Sequence, residues 1–432
     1  MSSLPRSIAR SQHSRVLLAI LAAACICGGA TVTLAADAEK VLASFSGQDG
    51  SNPQAGLISD AKGNLYGTTS TGGFTTCVSL GSCGTVFRLS SGTNGTWHKT
   101  VLHRFTGQDG AYPMGALVQD KAGNLYGTTS WGANSSCSFL TFVGCGVVFE
   151  LSPGASNTWT FKLVHRFNGF DGANPQCTLT LDSSGNLYGT TTGGPSNGAG
   201  TVFELQRGQK GSLLFKNLYA FNGVPDGSAP SGPLVVDTAG NLYGTTTTGG
   251  TSNTGTVFEL SPTGSGSWIE TVLYSFLSSG GTDPANGVIL GSTGNLYGTT
   301  VSSGGTCGCE YGTVFELTRG DSGTWTKTTL HSFTSGDGHS PEGLVFDAAG
   351  NLYGVTFVGG SSNDGTVFEL SPSSGGVWTE TQLHVFSGAD GAGPVGSLIF
   401  DSSGNLYGTS GYGGSGNNKG TVFEVSPAAS ER

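Results

Sequence analysis

Glu342 is the only acid in a series of residues that each follow a recurring proline: Gln54, Met114, Gln176, Ser231, Ala285, Glu342 and Val395. His339 stands nearby, and the series is one of two candidate sites. The series falls short of a lactonase-like metal site. That needs several acidic or amide ligands converging from inner strands, and one Glu with Gln54 and Gln176 does not supply them. No Ser–His–Asp or paired-carboxylate constellation is legible. Cys307 and Cys309 offer two thiols around one glycine, whereas zinc takes four ligands, or three plus water. Asp60, Asp120, Asp182, Asp237, Asp347 and Asp401 each stand three residues before a glycine, and Asp49, Asp109, Asp171, Asp226, Asp337 and Asp390 lie in a second set of glycine-rich loops. Calcium would require six to eight oxygens, so single carboxylates in such loops read as turn-holding groups. No catalytic residue, metal or cofactor is predicted.

Most of these residues recur, and the recurrence dictates what must position them. The phrase Gly-Asn-Leu-Tyr-Gly occurs seven times, with its tyrosine at 66, 126, 188, 243, 297, 353 and 407. A second phrase, Gly-Thr-Val-Phe-Glu-Leu with small changes, places phenylalanines at 87, 149, 203, 258, 315, 368 and 423. A third ends at Phe45, Phe105, Phe167, Phe221, Phe276, Phe333 and Phe386. Each unit divides into four short strands; in the sixth they are residues 343–347, 352–356, 366–370 and 378–386. Four antiparallel strands in roughly 55 residues make a propeller blade. Residues 41–45 form a fourth strand with no blade before it, and residues 420–425 a third strand with no fourth after it. The expected fold is all-β, a seven-bladed β-propeller of four-stranded antiparallel blades, its ring closed by the N-terminal strand completing the last blade. Closure also removes the sheet edges that an open array would expose.

Repetition argues for structural roles. The tryptophans at 97, 159, 268, 325 and 378 start the fourth strand and read as packing residues, as do the repeated tyrosines and phenylalanines. His103, His165, His331 and His384 read as structural on the outer strand.

Composition fits this picture. There are 75 glycines, 11% charged residues and a net charge of −10. No basic patch or Lys/Arg run is present, which excludes nucleic acid and anionic membranes as natural partners. Residues 1–36 have the parts of a secretory signal: Arg6, Arg10 and Arg15, an apolar stretch over 16–24, and small residues around Ala36. Cys25 offers an alternative reading as a lipid-attachment site. The apolar stretch is too short to span a bilayer. Residues 37–432 then form a single, monomeric propeller domain outside the cytoplasm, with no transmembrane segment.

The motifs resemble the bacterial GloVer-type tandem-repeat proteins, built on Gly-Asn-Leu-Tyr-Gly-Thr-Thr, a glycine pair, and Gly-Thr-Val-Phe-x-Leu. Residues 237–260 show the pattern cleanly, and it covers nearly the whole chain after the signal. The resemblance implies an exported bacterial protein of no established activity.

A ligand site on a repeat ring should show as a departure from the repeat. The enlarged loops of blades one and two carry Cys77 with Cys83 and Cys137 with Cys145, which in an exported protein read as local disulfides. Cys307 and Cys309 are a third candidate pair, and Cys177 is the odd thiol, expected to be buried. Trp131, Phe139 and Phe142 lie in the blade-two loop, and Tyr412 takes the place of Trp131 in blade seven. Aromatics among Asn, Ser and Gly suit a carbohydrate or protein ligand; alternatively they fold down as satellite cores over their own loops. The expected function is a binding or interaction module using the loop face over blades seven, one and two, with Gln54, Gln176 and Glu342 at the channel mouth. Competing classes are a hydrolase or lyase acting on a polysaccharide or lactone, and a purely structural surface protein.

Overall fold

The computed structural model describes residues 38–73, 77, 82–133, 138–139, 142–195, 198–278, 280–302 and 311–427, with only the backbone at 38, 138–139 and 142–143. Seven antiparallel sheets follow one another along the chain. In blade four the strands, from the first outward, are Val235–Val236, Leu242–Thr246, Thr256–Pro262 and Trp268–Ser275. In blade six the expected first strand, 343–347, is reduced to Val345–Phe346, and a further short segment before it, His339–Pro341, also pairs with Leu352–Val358.

Blade seven is assembled from both ends of the described chain. Ala392–Phe400, Leu406–Tyr412 and Thr421–Ser426 supply three strands, and Ala38–Ser44 pairs with Thr421–Ser426 as the fourth. The ring is therefore closed as the orphan strands predict.

Each repeated residue has a mechanical reason. Asp60 accepts the backbone N–H groups of Lys62 and Asn64, both at 2.9 Å, the Asn64 side-chain amide at 2.8 Å and the Tyr66 hydroxyl at 3.0 Å. Burial would raise its pKa, but these four donors outweigh it and hold the carboxyl below its ordinary range. Blade five has Gly291 there, and Tyr297 donates instead to Glu316 at 2.7 Å. The glycine after the tyrosine is a matter of close approach: a β-carbon at Gly67 would lie 2.6 Å from the Phe87 ring.

The seams between blades carry the packing. The phenylalanine ending each fourth strand meets the third-strand phenylalanine of the next blade edge to face, at 5.0–5.2 Å in all seven seams. Fully burying one such ring stabilises by about 1.5–3 kcal/mol. The tryptophans reach across the same way; Trp97 of blade one meets Tyr407 of blade seven at 6.3 Å.

Further out, a histidine or tyrosine on the fourth strand pairs with the aspartate of the following loop: His103 with Asp109, His165 with Asp171, Tyr219 with Asp226, His331 with Asp337 and His384 with Asp390, all at 3.0–3.2 Å. What the next blade presents to this pair varies. Phe161 stacks on His103 and Phe215 on His165, at 4.2 and 3.9 Å. Lys99 instead pairs with Asp49 at 2.7 Å, where blade seven has Ala43 in place of a histidine. Glu270 and Glu380 approach Asp226 and Asp337, and each keeps a buried Oε1 without a hydrogen bond. Burial first, and the neighbouring aspartate second, pushes Glu270 up to about 7 and Glu380 up to about 8.

Two outcomes follow. Phe45→Ala is expected to destabilise by about 3–5 kcal/mol, lowering the melting temperature by about 4–6 °C, as Phe276→Ala does in an internal seam; an unchanged melting temperature for Phe45→Ala would show that the first strand does not close the ring. The native acids Glu270 and Glu380 titrate above their unfolded values, so the stability they contribute is present below about pH 4.5 and lost as pH rises through 7 to 8. The melting temperature should fall by a few degrees between pH 5 and 8.5, and Glu270→Gln with Glu380→Gln should flatten that slope.

Candidate functional site

All seven blades contribute to one cavity of about 300 Å³ along the ring's centre, through their first strands or the residues leading into them, among them Gln54, Met114, Gln176, Ser231, Asn286 and Glu342. The first strands approach so closely there that glycine is required: a β-carbon at Gly56 would strike the Ser397 carbonyl, and one at Gly396 the Gly56 amide.

Second-strand threonines hold these inner strands to their neighbours. Thr68 Oγ1 donates to the Gly115 carbonyl at 3.2 Å, Thr128 to Cys177 at 3.0 Å, Thr190 to Gly232 at 3.4 Å and Thr409 to Ala55 at 2.8 Å. Thr245 Oγ1 accepts the Gly287 N–H at 3.2 Å. The pattern breaks at blades five and six. Thr299 Oγ1 is buried with no partner, and blade six has Val355 at that place. For Thr299 the cause is one missing residue in the next blade: four positions separate the proline from the following leucine or valine in six blades, as from Pro53 to Leu57, but three separate Pro341 from Leu344.

That break is where Glu342 sits. Its backbone N–H donates to the Val355 carbonyl at 2.9 Å. Its side chain is the only charged one lining the cavity among the described residues. Burial pushes the carboxyl up to about 7, opposed by a hydrogen bond from the Gly396 backbone. Such a group both donates and accepts near neutral pH. Gln54, also lining the cavity, donates from Nε2 to Asn52 Oδ1 at 2.5 Å. A β-carbon at Gly411 would lie 3.1 Å from both amide groups, which places them beside the residue preceding Tyr412. Tyr412 is 43% exposed and meets Phe357 of blade six edge to face at 6.4 Å.

The other expected residues are distributed differently. Trp131 is half-buried against a core containing Cys77, Cys83 and Ala111, with Tyr112 beside it. Phe139 and Phe142 pair as backbone in a two-stranded hairpin. Gln176 lines the cavity from blade three, whereas His339 turns to Tyr311 and Ser340 and is not among the lining residues. Cys77 and Cys83 form a disulfide, Cys145 is disulfide-bonded, and Cys177 is a buried free thiol. Cys137, Cys307, Cys309 and residues 1–37, with Cys25, lie outside the described residues. Sequence reading missed Asn52, Asn286 and Phe357; the shortened Pro341-to-Leu344 interval was the available signal for this quarter of the ring.

A larger cavity of about 520 Å³ lies between blades six and seven, among Phe346, Asp347, Tyr353, Phe400 and Asp401. Asp347 and Asp401 are occupied by their own turns, and the corresponding residues line a cavity between blades three and four. It is a feature of the repeat, which favours the central cavity as the distinctive site.

Seven four-stranded blades around a lined centre, the last completed by the first strand, define a seven-bladed β-propeller. The chain belongs to the Gloeobacter/Verrucomicrobia repeat family, whose pattern matches residues 28–140, 75–309 and 269–432. Its fold is similar to that of a fungal alcohol oxidase of the AA5 family solved with copper, at 16% identity over 91% of this chain and 77% of that one, with a TM-score of 0.54. It is also similar to the extracellular domain of a one-component system from B. thetaiotaomicron, at 9% identity and a TM-score of 0.53, covering 89% of this chain. The chain spans 39% of that protein's length. These likenesses show the fold alone. No curated protein matches the chain. Among the described residues no helix is long and apolar enough to cross a membrane.

The threonine series yields a direct check by denaturant unfolding. Thr128→Val should destabilise by about 1–2 kcal/mol, because it leaves the buried Cys177 carbonyl without its donor, whereas Thr299→Val should be neutral or stabilising.

Proposed function

We propose that this protein is an exported binding module that takes a carbohydrate ligand at the loop-face end of its channel, where blades six, seven and one meet. The observation that carries this reading is the convergence of Glu342 and Gln54 on one cavity, with the Asn52–Gln54 amide pair against Gly411, the residue before the exposed Tyr412. Amides and a carboxyl that titrates near neutrality exchange hydrogen bonds with sugar hydroxyls, and an exposed ring offers a stacking face. The site keeps Tyr412 and Gln54 from the loop face expected over blades seven, one and two, and moves its centre toward blade six. Export is supported by the Cys77–Cys83 disulfide, a bond that persists in oxidising compartments. A glycosidase-type mechanism would call for a second carboxylate, and Glu342 is alone in the cavity lining among the described residues.

A glycan and polysaccharide array tests the reading. Wild type should retain a defined subset of glycans. Tyr412→Ala and Glu342→Gln should each weaken that binding by about tenfold or more, and Trp131→Ala should leave it intact. Absence of binding by wild type, or binding that neither of the first two substitutions alters, overturns the proposal.

A further inference from the structure

Glutamates face the His–Asp pairs of two seams, Glu380 beside Asp337 and Glu39 beside His384 and Asp390, and among the described residues only the second brings its three groups close enough to share an ion. His384 on the fourth strand of blade six lies 3.1 Å from Asp390 Oδ2, while Asp390 Oδ1 accepts the Ser387 backbone N–H at 2.9 Å and its hydroxyl at 3.1 Å. Glu39, on the closing strand Ala38–Ser44, takes the position that Phe161 and Phe215 take over His103 and His165. One ligand atom from each of Glu39, His384 and Asp390 lies within 4.8 Å of the other two. The Glu39 Oε1 is fully buried and receives no hydrogen bond. Lysine, which neutralises the aspartate in the next seam through Lys99 and Asp49, is missing from this group; Lys40 bonds to the Gly95 carbonyl instead. Two carboxylates and an imidazole thus face one partly buried point, and among the described residues no lysine or arginine pairs with them.

We propose that Glu39, His384 and Asp390 bind a divalent transition-metal ion that clips the first strand of the ring to blade six. The donor set selects the class. Imidazole nitrogen with carboxylate oxygens suits zinc and its first-row neighbours, whereas calcium and magnesium take oxygen ligands almost exclusively. Bonds of about 2.0–2.2 Å ask the three groups to contract by about an ångström around the ion, with water in the open position. The ion joins positions 39 and 384, distant in sequence, so it restrains a very long loop of the unfolded chain.

Calorimetric titration of the full chain with Zn²⁺ tests the proposal, with Glu39→Phe as the principal variant. Two other seams already stack phenylalanine on the same histidine, so this variant should fold with a metal-free melting temperature at or above that of wild type. Wild type should bind one Zn²⁺ at a site that Glu39→Phe loses or weakens by about a hundredfold. Wild type should also gain about 3 °C in melting temperature at a hundredfold excess over Kd, a rise absent from the variant. Glu39→Gln, of nearly unchanged size, should behave as Glu39→Phe does in the Zn²⁺ readouts and serves if the larger side chain impairs folding. Equal Zn²⁺ stoichiometry and affinity in wild type and both variants overturns the site, as does a wild type whose melting temperature ignores Zn²⁺, which would mean that the seam holds only a proton. A larger stabilisation by Ca²⁺ than by Zn²⁺ overturns the assignment to a transition metal.

Discussion

Edge-to-face contact between a phenylalanine ending one blade and a phenylalanine inside the next is the interaction on which the rest of the molecule depends. It recurs in every seam at nearly one distance, and two of its members, Phe45 and Phe423, come from opposite ends of the described chain. A four-stranded sheet with two apolar faces has nothing to hide them against except other sheets of the same kind. A ring satisfies every face at once. The glycine after each repeated tyrosine, the threonines bonded to the next inner strand and the tryptophans reaching back to the previous blade all keep neighbouring sheets at the separation this contact requires.

Once seven identical demands are met, chemistry is confined to the places where the pattern relaxes. Blade six shows this most clearly. Losing one residue between Pro341 and Leu344 leaves Thr299 without a partner and turns a carboxyl toward the centre of the ring. The outer seams relax in a different manner: ring stacking, a lysine–aspartate pair and facing acids all occupy equivalent positions. The phenylalanine contacts lie between inner and outer variation and are the same in every seam. Charge can therefore accumulate at either radius without disturbing the seam.

The fold was legible because its determinants are periodic. Gly-Asn-Leu-Tyr-Gly and Gly-Thr-Val-Phe mark the second and third strands, and unmatched strands at 41–45 and 420–425 imply closure, as the pairing of Val41 with Phe423 and Ser44 with Thr421 bears out. The first strands were less legible: they are short, and that of blade six is reduced to Val345–Phe346. The candidate site was legible one residue at a time. Glu342, Gln54 and Tyr412 each stood out as departures from the repeat, but which of them lie near one another depends on angular position around the ring. Asn52 was hidden because its role depends on Gly411, a residue in the last blade. The acids of the seams were invisible for the same reason: Glu39 meets His384 only after the ring has closed.

Closure by the first strand also orders events in time. Among the described residues Ala38–Ser44 pairs only with Thr421–Ser426, so during synthesis this segment waits for blade seven before it has a partner. At ordinary translation speeds of about 5–20 residues per second that interval is roughly 20–80 s. For its duration a strand containing Leu42 and Phe45 has open edges, and blade seven is the only template in the molecule that fits it. Vectorial synthesis therefore makes completion of the ring a late step that senses whether all seven repeats are present: a chain truncated before blade seven keeps Ala38–Ser44 unmatched, the form of exposed edge that chaperones and proteases recognise.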